Sequence, residues 1–353
     1  MTHLNQSSLP EKKLWFASDY MEGAHPAILQ RLQETNLVKT PGYGADSYTA
    51  SARDRIRSAC GAPEAEVFLL AGGTQTNAVV ITSLLKSWQG VVAAETGHIS
   101  AHEAGAIEHG GHKVLPLPQR DGKISAESLR ALLRTWREDG NRDHLVAPGM
   151  VYLSQPTEYG TLYSLRELEE IRGICLENDL LLYVDGARLA YALASGENDV
   201  SLADLARLCD AFYIGGTKCG ALFGEALVFP KTGTAPHFFT QIKQQGALLA
   251  KGRVAGLQFD TLFTDGLYEK LGRVAVREAD RIRAALREKG IPQACVAPTN
   301  QIFVTLDEAQ LKRLSERVEM SFWEKPDPEH TVMRIATSWA TDPRDVDRLI
   351  SLL

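Results

Sequence analysis

Short apolar runs rich in β-branched residues alternate along most of the chain with stretches whose apolar positions recur at helical spacing. The runs at 66–71 (EVFLLA), 90–95 (GVVAAE), 150–155 (MVYLSQ), 180–185 (LLLYVD), 210–215 (DAFYIG) and 225–230 (EALVFP) read as strands. Helices are predicted between them, over 74–88, 98–109, 125–138, 164–178 and 201–208. Two of these open with the pattern of a capping box, SLRE at Ser164 and SLAD at Ser201. Strand and helix in alternation predict βα units and a mainly parallel sheet. Continuous apolar strands such as LLLYV predict burial on both faces.

The texture changes near residue 236. Helical spacing continues to about 289, two strand candidates follow (QIFVTL and TVMRIATSW), and a last helix is capped by Asp342 with Pro343 in its first turn. The fold class expected is α/β: a large mainly parallel domain over 1–250, to whose site residues 1–45 contribute, and a small α+β domain over 251–353.

Composition narrows the function classes. A net charge of −6 leaves no basic footprint for nucleic acid or an anionic membrane. The 5 cysteines are odd in number and show no CxxC pairing, which suits a reducing compartment. No apolar run reaches membrane-spanning length and the first residues carry no apolar signal core. A cytoplasmic protein acting on a small molecule is the expectation.

Ligands in doubly wound sheets bind beyond the carboxyl ends of the strands. Two polar residues sit at such exits, Asp185 after LLLYV and Lys218 just past AFYIGG. A lysine desolvated there loses proton affinity and becomes a nucleophilic amine, and a buried carboxylate nearby needs a cationic partner. A lysine amine and a fixed acid are the pair that pyridoxal phosphate requires. AGGTQTN (71–77) offers a phosphate cradle, with two glycines and then Thr74 and Gln75 at a helix N-terminus. It has neither the lysine of a P-loop nor the spacing of a dinucleotide fingerprint, which disfavours an NAD-linked enzyme. Each feature has a plain alternative: a tight strand–helix turn, a salt bridge from Asp185 to Arg188, a solvated loop lysine. Their occurrence at successive strand ends favours the cofactor.

With those motifs in place, the chain resembles the threonine aldolases of the β-eliminating lyase group, pyridoxal-phosphate enzymes with the aspartate-aminotransferase-like fold (fold type I). The segments that carry the resemblance are FASD, GYGADSYT, GGTQTN, ETGHISAHEAGA, SQPTEYGTLYSLREL, YVDGAR, GGTKCG, KQQG and MRIATSW, in family order across nearly the whole chain. VDGAR followed by a glycine-flanked lysine is specific, whereas GGT alone is not. GGTK in place of the commoner Ser-x-Ser-Lys is similar to the low-specificity and phenylserine-type bacterial aldolases.

The resemblance implies roles. Lys218 matches the Schiff-base lysine and Asp185 the partner of the pyridine nitrogen. Gly73, Thr74 and Gln75 match the phosphate turn, with Thr217 a further contact, and His98 matches the imidazole stacked on the cofactor ring. Ser18, Arg188 and Arg334 match residues that hold the substrate carboxylate. Lys243 aligns with an arginine that reaches a phosphate across the subunit interface, implying at least a homodimer; tetramers are usual in the family. The implied reaction is cleavage of L-threonine, L-allo-threonine or phenylserine-like substrates to glycine and an aldehyde.

Four of the nine histidines (98, 102, 109, 112) lie within fifteen residues. His98 and His102 have metal-like spacing on one helix face, but no HExxH arrangement follows, so no metal is expected and the other three are placed at the surface. His98, or a water near it, is the candidate base. Glu103 reads equally as an orienting group or as an exposed helix carboxylate. Cys219 reads as a thiol filling space. Tyr43 and Tyr48 match an aromatic loop near the site. Where the family pattern has a second histidine, this chain has Pro156, Thr157, Glu158 and Tyr159. Two alternatives stand beside the aldolase: β-elimination or transamination on the same site, and a non-catalytic binding protein that kept the fold.

Overall fold

The computed structural model describes residues 13–353. A two-residue strand, β1 (Leu14–Trp15), pairs in parallel with β11 (Val318–Glu319) and ties the start of the described chain to its C-terminal part. The large sheet holds β2 (Glu66–Leu70), β3 (Gln89–Ala94), β4 (Val114–Leu117), β5 (Ala147–Ser154), β6 (Leu181–Asp185), β7 (Ala211–Gly215) and β8 (Glu225–Phe229). Its spatial order is β2-β8-β7-β6-β5-β3-β4. The pairs from β4 through β7 are parallel, and β8 runs antiparallel to both β7 and β2. A smaller antiparallel sheet, in the order β12-β13-β10-β9, is built from β9 (Gln293–Cys295), β10 (Gln301–Asp307), β12 (Ser321–Glu324) and β13 (His330–Ala336).

The long apolar runs become strands buried along their length because both faces of the large sheet are covered. Successive side chains alternate between two cores. Leu182, Val184, Phe212 and Ile214 pack on one side, and Tyr152, Tyr183 and Tyr213 on the other. That alternation puts three tyrosine hydroxyls on one face, near the carboxyl edge. Both expected capping boxes form, at Ser164 and Ser201, and Asp342 caps the last helix.

Three local expectations are corrected. The stretch 98–109 is not one helix but two short ones, His98–Ala101 and Ala106–His109, broken where Ala104 and Gly105 take positive φ. β4 was not expected. His112 is not at the surface: it is buried, its Nδ1 3.0 Å from the Gln89 carbonyl. Among the described residues no helix is long and apolar enough to cross a membrane.

Candidate active site

The ends of β5, β6 and β7 open onto two joined cavities of about 310 and 670 Å³. Lys218 stands in the turn after β7 and belongs to the walls of both. Burial, and next the Arg188 guanidinium, push its amine below the usual lysine range, while Asp19, Asp185 and Glu225 pull it back. Glycines at the exits of β6 and β7 let the two turns approach closely: a Cβ on Gly215 would meet the Ala187 carbonyl at 2.3 Å. A Cβ on Gly186, after β6, would meet the Tyr213 carbonyl at 2.0 Å, so only glycine lets the two strand exits run this close.

Asp185 ends β6, buried. Its Oδ2 accepts from the Tyr152 hydroxyl (2.6 Å) and the Asn77 amide (3.1 Å), its Oδ1 from the Tyr213 hydroxyl (2.5 Å) and the Ala187 N–H (2.9 Å). Burial pushes the carboxyl upward, but the His98 imidazole and the two tyrosine hydroxyls outweigh it and hold Asp185 below the usual carboxylate range. Asp185 therefore stays ionised, without a salt bridge to Arg188.

Arg188 pairs instead with Asp19, two parallel bonds of 2.7 and 3.0 Å between buried groups. Asn300 donates to the same carboxylate at 2.8 Å. Burial raises the Asp19 carboxyl, yet Arg188, with Lys218 and Asn300, brings it down to about 2. Arg334 reaches the larger cavity from the middle of β13, donating to Gln301 Oε1 (3.2 Å) and the Ala17 carbonyl (3.0 Å), while its buried Nε has no partner. Burial, then repulsion from Arg188, lowers its hold on its proton. Two guanidinium groups thus line one cavity, Arg188 paired with Asp19 and Arg334 with no carboxylate hydrogen-bonded to it among the described residues.

The helix Gly73–Leu84 points its N-terminus at the smaller cavity. No side chain caps that end, so its first N–H groups are free for an anion. Gly73 lies so close to Tyr213 that a Cβ would meet the hydroxyl at 3.0 Å. On the opposite wall His98 Nδ1 is 2.7 Å from Glu103 Oε1, and its backbone N–H donates to Glu158 Oε1 at 2.8 Å. Glu103 is fully buried and also accepts from Asn77 at 2.7 Å, so it orients the imidazole rather than lying exposed. Glu225 accepts from the Thr217 hydroxyl (2.8 Å) and the Gly216 N–H (3.1 Å), and burial pushes its carboxyl up to about 8. Cys219 is buried, its thiol pushed up to about 12.

Of the residues expected from the sequence, Lys218, His98, Asp185, Gly73, Thr74, Arg188 and Thr217 line the smaller cavity, and Arg334 lines the larger. Three line neither. Gln75 turns its side-chain oxygen to the Ala71 N–H (3.3 Å), Ser18 is buried between Ala17 and Asp19, and Lys243 lies 4.6 Å over the Tyr43 ring on the helix Phe238–Gln244. The Thr217 hydroxyl is engaged by Glu225 and the Gly224 N–H. Sequence reasoning missed Asp19, Asn77, Tyr152, Tyr213 and Glu225. Only the tyrosines carried a signal, a polar tip at matching places on adjacent apolar strands.

The chain is an α/β protein of fold type I, with a lysine amine and a buried, hydrogen-bonded carboxylate at the carboxyl edge of the sheet. The chain belongs to the beta-eliminating lyase family, whose model matches residues 16–335. It is 31% identical over 306 residues to a low specificity L-threonine aldolase of a Pseudomonas species, covering 86% of this chain and 87% of that one. It is 26% identical to the corresponding aldolase of Saccharomyces cerevisiae, over 87% and 79% of the two chains. A Leishmania major threonine aldolase structure superposes with a TM-score of 0.93 at 41% identity, covering 96% of this chain and 98% of that one. A Thermus thermophilus aspartate aminotransferase, 14% identical with a TM-score of 0.71 over 97% and 91% of the chains, shares the fold. Members of this family are lyases that use pyridoxal phosphate.

Proposed function

We propose that the chain is a pyridoxal-phosphate aldolase that cleaves the Cα–Cβ bond of L-threonine, L-allo-threonine or related β-hydroxy-α-amino acids to glycine and an aldehyde. The observation that carries this reading is the convergence of a half-buried amine (Lys218), an ionised buried carboxylate (Asp185) and two guanidinium groups (Arg188, Arg334) on two cavities that share walls. The names of the curated relatives support the reaction.

The residues present fit the cofactor. The uncapped helix end beside Gly72 and Gly73 would hold its phosphate, with Thr74 beside it, and the close Gly73–Tyr213 approach leaves that cradle free of a side chain. Asp185 would hold the ring nitrogen in its protonated form, and Lys218 would hold the aldehyde carbon. Bound there, the cofactor supplies a sink for the electron pair released at Cα.

The chain's own groups do the rest. Arg188 and Arg334 bind the substrate carboxylate and so fix which Cα bond faces the sink. The Glu103 carboxylate, 2.7 Å from His98 Nδ1, fixes the orientation of the imidazole at the cavity wall. Burial and the Arg188 charge lower the hold of Lys218 on its proton, which favours the nucleophilic form of the amine.

Loaded protein incubated with L-threonine or L-allo-threonine is expected to give glycine and acetaldehyde in equal amounts. Pyruvate or a 2-oxo acid in their place, or no turnover, would contradict the reading. We further propose a homodimer at minimum, assembled into a homotetramer, with Lys243 serving the neighbouring site; that Lys243 lines neither of its own chain's two cavities supports this. A monomer by sedimentation would refute it. A cytoplasmic location is proposed from the free, buried cysteines.

A further inference from the structure

We propose that Glu158 is a catalytic residue of this site, the group that takes the proton from the substrate's β-hydroxyl as the Cα–Cβ bond breaks. The inference rests on the aldolase reading and deepens it.

Tyr20, His98, Glu158, Arg188 and Lys218 belong to the walls of both cavities, so they surround the place where these meet. Lys218 and Arg188 are committed to the amino and carboxylate ends of an amino acid. The β-hydroxyl must then meet the remaining shared wall, made by Tyr20, His98 and Glu158. Glu158 is the one carboxylate there, and it is buried. The Ser154 hydroxyl (2.6 Å) and the His98 N–H (2.8 Å) both donate to its Oε1, which fixes the side chain against the cavity. Its own carbonyl accepts from Gln301 Nε2 at 3.2 Å, and Gln301 in turn holds Arg334 at 3.2 Å, so Glu158 is positioned through the same residues as the carboxylate clamp.

The charged and titratable groups that face Glu158 are Asp185, His98, Arg188, Tyr152 and Tyr163. Burial, and the Asp185 charge behind it, make this carboxylate more basic than an exposed one, against the pull of Ser154 and His98. A base whose affinity for protons is raised toward neutrality suits an alcohol proton better than an ordinary carboxylate does. In the step itself the hydroxyl proton passes to a Glu158 oxygen, the O–H pair becomes the second bond of the aldehyde carbonyl, and the Cα–Cβ pair stays with Cα. Cα then takes up one proton to become glycine, and Glu158 gives up the one it gained, so the turnover is proton-neutral and the carboxylate is restored.

The test is Glu158→Gln, which keeps the shape and an acceptor oxygen for His98 and Ser154 but cannot take a proton. Three quantities are compared with the parent: the dissociation constant of pyridoxal phosphate by absorbance titration, the exchange of the glycine α-proton in deuterium oxide by NMR, and aldehyde release from L-allo-threonine across pH. Exchange needs the cofactor and Lys218 but no β-hydroxyl. The expected result is unchanged cofactor binding, exchange within about threefold, and cleavage lower by about 10²–10⁴-fold. The acid limb of the parent's kcat profile should also be absent from the variant. Cleavage within threefold of the parent would overturn the proposal and leave His98 as the base. Parallel loss of exchange and cleavage would overturn it too, reducing Glu158 to a structural support. If the parent itself releases no aldehyde, the aldolase reading fails instead.

Discussion

Replacing Asp19 by Asn removes one charge from a buried pair and leaves its shape. Arg188 then keeps its guanidinium in a desolvated place with no carboxylate on it. The Asp19 carboxyl is held at about 2, against 3.8 for a free aspartate, and that drop is worth about 2.5 kcal/mol of folding stability at neutral pH. Because the folded value is the lower one, this contribution is complete above pH 3.8 and fades as pH falls toward 2. Breaking the pair from one side costs further, since a buried charge left alone is penalised by about 3–5 kcal/mol in comparable cases. The two figures describe one interaction and do not add, so a loss of about 3 kcal/mol is expected. The assay is urea unfolding of parent and variant, both loaded with cofactor, from pH 7 to pH 4. The gap should stay nearly level over that range, narrowing only at its acid end, where Asp19 of the unfolded chain begins to take up its proton. In the same variant, KM for L-allo-threonine should rise at least tenfold as Arg188 loses its orientation, with the smaller change in kcat. Unfolding midpoints that coincide, together with KM within twofold, would refute the reasoning that Asp19 sets the substrate clamp.

Gly73→Ala should weaken pyridoxal phosphate binding about tenfold, because the new Cβ meets the Tyr213 hydroxyl at 3.0 Å beside the phosphate cradle; absorbance titration reads it, and the added change Tyr213→Phe should restore part of the loss. Tyr152→Phe deletes the 2.6 Å bond to Asp185 and should cost about 1.5–3 kcal/mol of preference for the ionised form. Burial then pushes the Asp185 carboxyl up, so the acid-side release of pyridoxal phosphate from the loaded protein should move to higher pH by one unit or more; an unmoved release profile would contradict the assigned role.

The large sheet was legible where its strands are long and apolar on both faces, as in LLLYVD and DAFYIG. β4 escaped because it is four residues at the sheet edge with a proline at 116, a short and weakly patterned strand. The antiparallel course of β8 was not legible either, since hydropathy does not encode strand direction. The break at Ala104 and Gly105 was hidden by helix-compatible spacing around it. In the site, Lys218 and Asp185 stood out because a charge at the end of a buried strand is costly unless used. Their partners did not stand out. Asp19 meets Arg188 across 169 positions, and Asn77 meets Asp185 across 108. Such pairs become visible only once the N-terminal stretch and the helix Gly73–Leu84 pack beside the strand exits. The local alternative, Asp185 with Arg188 three positions away, was the wrong pairing for that reason.

The central claim, that Lys218 is the amine that carries the cofactor, is tested most directly by borohydride reduction of the loaded protein followed by peptide mass spectrometry. The expected result is a visible band lost on reduction and a pyridoxyl mass fixed on Lys218, with neither band nor adduct in Lys218→Ala. An adduct on another lysine, or a loaded protein with no reducible band, would contradict the claim.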